Sequence, residues 1–411
     1  MNLIGAFSQR DTSTLSSPKR WLLDMFGGNI TTSGVNVTSE RAIAHTAVYD
    51  CVNILSQSIA SLPFSVYKRE VLKDKSLNNK AFNHPLYTIL HDEPNTEMTS
   101  YTWRVVVMVH LALRGNHFSQ IIRNNAGKVT GIYPLNPDKM QIVRLENKEL
   151  RYMYQSDTYG QVALYPSEIL HLIGMTMDGI IGMSPIEYNR HTIGMSIAME
   201  EFGGTLFKNG ATPSGVVSGE GVKSMSETAF ERFRQSFKEN YQGLMNAGKP
   251  LILEDGFKFT PITISNRDGQ YLESRKFTKS DIASIFRIPP HMINEMTSAT
   301  FGNIEHQSIQ FVIDAIRPWS VNIEQECRRK LFSDSEKSTL SITPTYYVKL
   351  NLSALLRGDT KTRYEAYGAG IKDGWMTRNE AREAEDLNPL DGLDDPLYPL
   401  NMAKEGDNAA K

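Results

Sequence analysis

A chain of 411 residues is too long for one ordinary hydrophobic core, so two or three domains are expected. Its 44 basic and 46 acidic residues leave a formal net charge of −2, which argues against a tight nonspecific binder of nucleic acid, whose signature is a basic excess. The longest apolar run, Val105 to Val109, is far short of the roughly 20 residues a membrane span needs, and the opening MNLIGAFSQRDTSTLSS lacks the basic start and apolar core of a signal peptide.

Residues 1–38 are polar, rich in serine and threonine, and read as a flexible N-terminal arm. Ser39 to Ser61 reads as one helix with Ala44, Val48, Cys51, Leu55 and Ile59 on one face. LPFSVYKRE then alternates as a strand, and HPLYTILHDEPN is a short helix closed by Pro94. Thr99 to Leu113 is a valine-rich helix whose nearly continuous apolar surface predicts burial. Two strands joined at Asn125 to Gly127, then MQIVRL, RYMYQ, VALYP and Glu168 to Ile173, complete a mixed α+β domain before the loop GMTMDGIIGM. Cys51 and Cys327 fall on apolar helix stripes and read as buried thiols, not a disulfide framework.

Ser184-Pro185-Ile186-Glu187 is a helix start: serine caps a free amide, proline suits the first position, and glutamate completes a capping box. The helix runs to Asn209-Gly210, about 37 Å at 1.5 Å per residue. It carries Gly194, Ala198, Phe202 and Leu206 in one row, which suits either a bent core helix or close approach of another backbone. Residues 214–265 read as a βαββ insertion whose helix places Phe230, Phe233, Phe237 and Tyr241 on one face. A helix from Asp268 to Phe286 follows, with Arg275 and Lys279 on a basic edge, ended by Pro289-Pro290. His291 to Gly302 lacks periodicity and reads as an exposed polar loop. The clearest stripe in the chain comes next: Val312, Ile316, Trp319, Ile323, Cys327 and Leu331, with a kink expected at Pro318. TYYVKLNL is a strand, Asp359 and Thr377 each open a short helix, and the stretch after Pro389 is acidic with little to fold it.

The sequence offers no convincing active site. Gly243 to Lys249 matches a phosphate-binding loop up to Pro250, where a hydroxyl is needed for Mg²⁺, and it runs from helix to strand instead of the reverse. The nine histidines show no zinc spacing, and Ser184 is better explained as a cap than as a nucleophile. No cofactor or metal is expected.

The stretches SIASLPFSVYK, HPLYTILHDEPN, LALRGNHF, GMSPIEYNRHTIGMSIAMEEF, FKNGATPSGVV, ESRKFTKSDIASIFRIPPHMI, NIEHQS, RPW, LSALLRGDTKTRYEAY and TRNEAR occur in that order between about residues 40 and 390. Together they resemble the portal proteins of tailed double-stranded DNA bacteriophages. The resemblance implies a homo-oligomeric ring, commonly dodecameric, at one capsid vertex, with an axial channel through which DNA is packaged and ejected. On this expectation 39–183 is the wing, 184–210 and 266–290 are the stem helices, and 211–265 is the clip. Residues 291–302 are the tunnel loop, 303–358 the tunnel helix and its return to the wing, 359–390 the crown, and 391–411 a flexible tail. Glu295, Thr297, Ser298, Thr300 and Asn303 would face DNA as an uncharged-to-acidic surface that does not grip phosphates. Arg275 and Lys279 would pair between subunits or touch phosphates. The implied partners are the terminase large subunit, which supplies the ATPase, head-tail adaptor proteins, and the major capsid and scaffolding proteins, with assembly in the host cytoplasm and no membrane. The competing readings are a nuclease or ATPase, and a capsid or adaptor protein without a DNA channel.

Overall fold

The computed structural model describes residues 31–72, 75–208, 215–219, 226–241, 257–261, 277–294, 301–337, 345–355, 360–385 and 387–397. The chain divides into two compact units, residues 1–349 and 350–411.

In the first unit, residues 31–38, counted above in the flexible arm, are folded: Thr31, Val35 and Val37 are buried and the Thr31 hydroxyl donates to the Val35 carbonyl. The single helix expected from Ser39 is two, α1 (Ser39–Ile43) and α2 (Thr46–Ala60). The break falls at His45, whose backbone is extended and whose buried side chain bonds Ser196 at 2.8 Å, so a tertiary contact overrides helical continuity. Ala44 is consequently exposed, and the buried face of α2 is Val48, Cys51, Val52, Leu55 and Ile59. Strand β1 (Phe64–Leu72) forms a hairpin with β2 (Lys75–Lys80), which the polar sequence KSLNNK concealed. Then come α3 (Pro85–His91) and α4 (Ser100–Arg114), with Trp103, Val107, Met108 and Leu111 fully buried.

Gly115 ends α4 in the left-handed region, at φ 71°, and a β-carbon there would lie 2.1 Å from the Met183 carbonyl oxygen. Only glycine meets both demands. Strands β3 (Asn116–Arg123), β4 (Val129–Leu135), β5 (Met140–Arg144), β6 (Leu150–Ser156), β7 (Gly160–Leu164) and β8 (Ile169–Ile173) form two antiparallel sheets, ordered β4-β3-β8 and β5-β6-β7. Phe118, Tyr152, Leu164 and Ile169 make a shared core between them.

The expected long helix from Pro185 is also two pieces, α5 (Pro185–Tyr188) and α6 (Arg190–Lys208). Asn189 leaves the helix and its side-chain amide donates to the Pro185 carbonyl, satisfying the broken end. At 19 residues α6 is about 28 Å long. Gly194 meets Thr31 of the same chain, where a β-carbon would sit 2.6 Å from its side chain, whereas Gly204 has open space beside it. Of the expected βαββ insertion, β9 (Gly215–Gly219), α7 (Glu227–Tyr241) and β10 (Phe257–Pro261) are described, β9 and β10 pairing antiparallel; the strand expected at 250–253 lies outside the described residues. Phe230 is exposed.

Helix α8 (277–285) leads to α9 (Phe301–Phe311), a π-helical turn (Val312–Ile316) and α10 (Arg317–Leu331). The predicted stripe holds: Val312, Ile316, Ile323, Cys327 and Leu331 are buried and Trp319 is half-buried. Asn322 on α10 donates to the Ile173 carbonyl of β8 at 2.6 Å, fixing the helix on the sheet. Both cysteines are buried free thiols, and burial pushes the Cys51 thiol up to about 12. The short α11 (Asp334–Lys337) and β11 (Thr345–Leu350), which joins β1 in a sheet ordered β11-β1-β2, close this unit.

The second unit holds α12 (Thr360–Lys372) and α13 (Arg378–Ala384), the two helices expected after Asp359 and Thr377. The capping box of Thr377 and Glu380 forms as its sequence predicts. Residues 387–397, which include the start of the expected flexible tail, fold back on α13: the Asn379 side chain donates to the Leu390 carbonyl and Asp394, and accepts from the Leu390 amide. The turn is held by side chains to backbone, a pattern that composition does not reveal.

Candidate functional site

The segment expected to matter most is built on α8, α9 and the chain between them. Helix α8 is anchored by Ile282, Ala283 and Phe286, all buried. Its end is a Schellman closure: the Arg287 amide donates to the Ser284 carbonyl at 3.1 Å and the Ile288 amide to the Ala283 carbonyl at 2.9 Å. Arg287 occupies the left-handed position, at φ 56°, that glycine or asparagine usually fills. Pro289 then turns the chain, as expected, but the residues after it are ordered. Pro290–Ile293 form a 3₁₀ turn with Ile293 buried, and Asn294 ends it at φ 60°, a conformation asparagine tolerates.

The expected loop 291–302 is therefore shorter at both ends. His291 to Asn294 belong to the turn, and Phe301, Gly302 and Asn303 belong to the first turn of α9. Polar composition alone predicts a loop here because buried Ile293 is isolated in sequence and finds its core only in three dimensions. Glu295, Thr297, Ser298, Thr300 and Arg275 lie outside the described residues. Lys279, expected on an exposed basic edge, is half-buried and its Nζ donates to the Ile293 carbonyl at 2.7 Å, so this cation already holds the turn.

Two more ties connect the flanks of 295–300. His291 Nδ1 donates to Gln307 Oε1 on α9 at 2.7 Å. Arg287 Nη1 donates to the Asp314 carbonyl in the π-turn at 3.3 Å. The kink expected at Pro318 takes the form of that π-turn, in which the Arg317 amide reaches the Val312 carbonyl five residues back.

A second cluster was invisible as spacing. Three of the scattered histidines, His110, His117 and His171, meet beneath α4. His110 Nδ1 and His117 Nδ1 are 3.0 Å apart, His117 Nε2 is 2.7 Å from Ser119 Oγ, and the Trp103 indole donates to Ser119 at 3.1 Å. His171 lies 3.3 Å from the Tyr152 hydroxyl and 3.2 Å from Asn116 Oδ1. Asn116 Oδ1 also accepts from the Gly182 amide, so His171 Nε2 donates to it. Burial holds all three imidazoles neutral: His110 is pushed down to about 4, His171 to about 3, and His117 well below its ordinary value. Neighbouring Arg114 adds to the effect at His110, and Lys330 and Arg329 at His171. Both ring nitrogens of His117 and His171 and Nδ1 of His110 are committed to hydrogen bonds, and no group of three or more His, Cys, Asp or Glu able to hold a metal occurs among the described residues.

The candidates set aside in the sequence stay without chemistry where they can be seen. Ser184 is buried, caps α5 by accepting from the Glu187 amide, and donates to the Leu113 carbonyl at 2.7 Å. The phosphate-loop-like stretch 243–249 lies outside the described residues. No helix among the described residues is long and apolar enough to cross a membrane.

Comparison with known proteins places this architecture. The probable portal protein of Streptomyces phage phiC31 is 32% identical over 396 residues, covering 92% of this chain and 83% of its own length. The portal protein of Enterobacteria phage HK97 is 30% identical over 364 residues, covering 87% and 82%. A chain from the neck of a native gene transfer agent particle, solved with C12 symmetry, has the same fold with a TM-score of 0.56 at 19% identity, over 85% of this chain and 92% of that one. The sequence model of the phage portal protein family matches residues 46–386, and the chain belongs to that family.

Proposed function

We propose that this chain assembles into a closed ring of identical subunits, twelve by the family's common number, around a channel that duplex DNA traverses. The observation that carries the reading is the tied junction between α8 and α9. Two side-chain bonds, His291 to Gln307 and Arg287 to the Asp314 carbonyl, join the two flanks of residues 295–300, and Lys279 holds the first flank at Ile293, which gives a short polar stretch a rigid footing. Such a stretch, with Glu295, Thr297, Ser298 and Thr300, followed by Asn303 in the first turn of α9, suits a surface that DNA slides past. Cationic side chains there would add affinity at each phosphate and slow translocation. Lys279, the one basic side chain of the expected edge within the described residues, is turned to a backbone carbonyl, which agrees with a weakly gripping surface.

Ring formation is supported by apolar side chains exposed along the stem: Met195 on α6 and Phe277 on α8, the latter 71% exposed. It is supported too by the twelvefold symmetry imposed on the gene transfer agent neck. On this reading the ring sits at a single capsid vertex and assembles in the host cytoplasm. The terminase motor docks first on the clip (211–265) and head-tail adaptors replace it later. Capsid and scaffolding proteins surround the wing and crown.

Negative-stain electron microscopy with particle mass determination tests this. Rings with a hole wide enough for a duplex are expected. A holeless oligomer that persists on co-expression with the capsid proteins would refute the channel. Lengthening 295–300 by inserted residues is expected to leave rings intact and to block packaging.

A further inference from the structure

In a regular α-helix the Asp314 carbonyl would accept the amide of residue 318, but that residue is Pro318 and has no amide hydrogen. The helix answers with the π-turn at Val312–Ile316, and the missing donor comes from elsewhere: Arg287, 27 residues away in sequence, places Nη1 3.3 Å from the Asp314 oxygen. Arg287 does so from a left-handed backbone position, φ 56°, in a Schellman closure that glycine would complete without strain. A strained position occupied by a side chain whose hydrogen bond meets the carbonyl that Pro318 cannot serve points to a positioning task. The contact borders an open cleft of about 540 Å³ lined by Arg287, Gln307, Gln310, Phe311 and Asp314, which leaves room for the turn to move.

We propose that Arg287 is a positioning residue: its guanidinium stands in for the donor that Pro318 lacks, holds the π-turn, and thereby sets the direction and register of α9. This rests on the reading of the chain as a channel subunit, in which α9 leads from the DNA-facing stretch and carries Asn303 in its first turn. A π-turn holds one residue more than an α-turn. Its collapse would rotate α9 by about 100° and shift it by about 1.5 Å relative to α10, enough to re-aim whatever the first turn presents.

Two substitutions in the full chain separate this from a general effect on stability. Arg287→Gly removes the guanidinium and relieves the strain; Pro318→Ala returns an amide to the helix. In Arg287→Gly the thermal midpoint is expected to stay level or rise while hydrogen exchange of the α9 and π-turn amides quickens about tenfold, the factor for one lost hydrogen bond. Adding Pro318→Ala is expected to bring exchange back to within about threefold of wild type, because the carbonyl regains a donor. Unchanged exchange in Arg287→Gly, or no recovery in the double variant, overturns the proposal. In assembled particles, Arg287→Gly is expected to give rings of normal mass that retain several-fold less DNA, with recovery in the double variant; full DNA content despite loosened α9 also overturns it. Wild-type chain that forms no ring would refute the channel reading instead, while the exchange measurement would still decide the clasp.

Discussion

The buried histidine cluster makes stability depend on pH in a direction and by an amount the structure sets. Each imidazole is held neutral well below its ordinary value of 6.5. Between pH 7 and pH 5 the unfolded chain takes up protons on these side chains and the folded chain does not. Stability therefore rises with pH through this window and falls on acidification. Because only the unfolded state titrates here, the size of the effect hardly depends on how far below 5 the folded values lie. Going from pH 7 to pH 5 costs about 2 kcal/mol per histidine. Three independent sites would total about 6 kcal/mol, a large part of a domain's typical 5–15 kcal/mol.

Denaturant unfolding at pH 7, 6 and 5 measures the loss, and a His110→Gln variant isolates one share of it. Glutamine carries both a donor and an acceptor and so can meet the His117 ring nitrogen whichever way that bond runs, but it does not titrate. The variant is expected to lose about 2 kcal/mol less than wild type between pH 7 and pH 5. The same loss in both proteins would refute the argument, because the other histidines and the carboxylates are common to both.

Gly115→Ala and Gly127→Ala both put a β-carbon at positive φ, but only Gly115 has a carbonyl oxygen 2.1 Å away and Gly127 has open space. Gly127→Ala is therefore expected to cost about 1 kcal/mol and Gly115→Ala several times that, read as thermal midpoints. Thr377→Ala removes half of the capping box and is expected to cost about 1 kcal/mol in α13, seen as faster amide exchange there and not in α10. Asn379→Ala cuts three hydrogen bonds to the 387–397 segment and is expected to expose it to limited proteolysis while the first unit stays resistant.

Periodicity carried much of the fold. The stripe from Val312 to Leu331 and the burial of α4 both follow from 3.6-residue spacing, because a helix that must cover a core repeats its apolar residues at that interval. The errors share a cause. Helices expected to be continuous at His45 and Asn189 break there because a side chain finds a better partner, Ser196 in one case and the Pro185 carbonyl in the other. The β2 strand was concealed because it is an edge strand whose residues 77–80 are exposed, and its backbone pairing with β1 needs no apolar face. The histidine cluster was hidden because residues 110, 117 and 171 come together only when β3 pairs with β8.

The junction between α8 and α9 was legible in a different degree. The proline pair Pro289-Pro290 and polar composition marked the position, and the π-turn beside Pro318 follows from one missing amide hydrogen. What holds the junction could not be read, because each tie ends on a group that every sequence possesses or that has no preferred spacing. Lys279 and Arg287 bond main-chain carbonyls and His291 bonds a glutamine amide. Lys279 counted with Arg275 toward a basic edge in the sequence, yet in the folded chain Lys279 gives a donor to backbone, as Arg287 does. The junction thus gains rigidity from cations without presenting them all to solvent, and on the proposed reading this is the balance a DNA-facing surface would need: firm in shape and weak in grip.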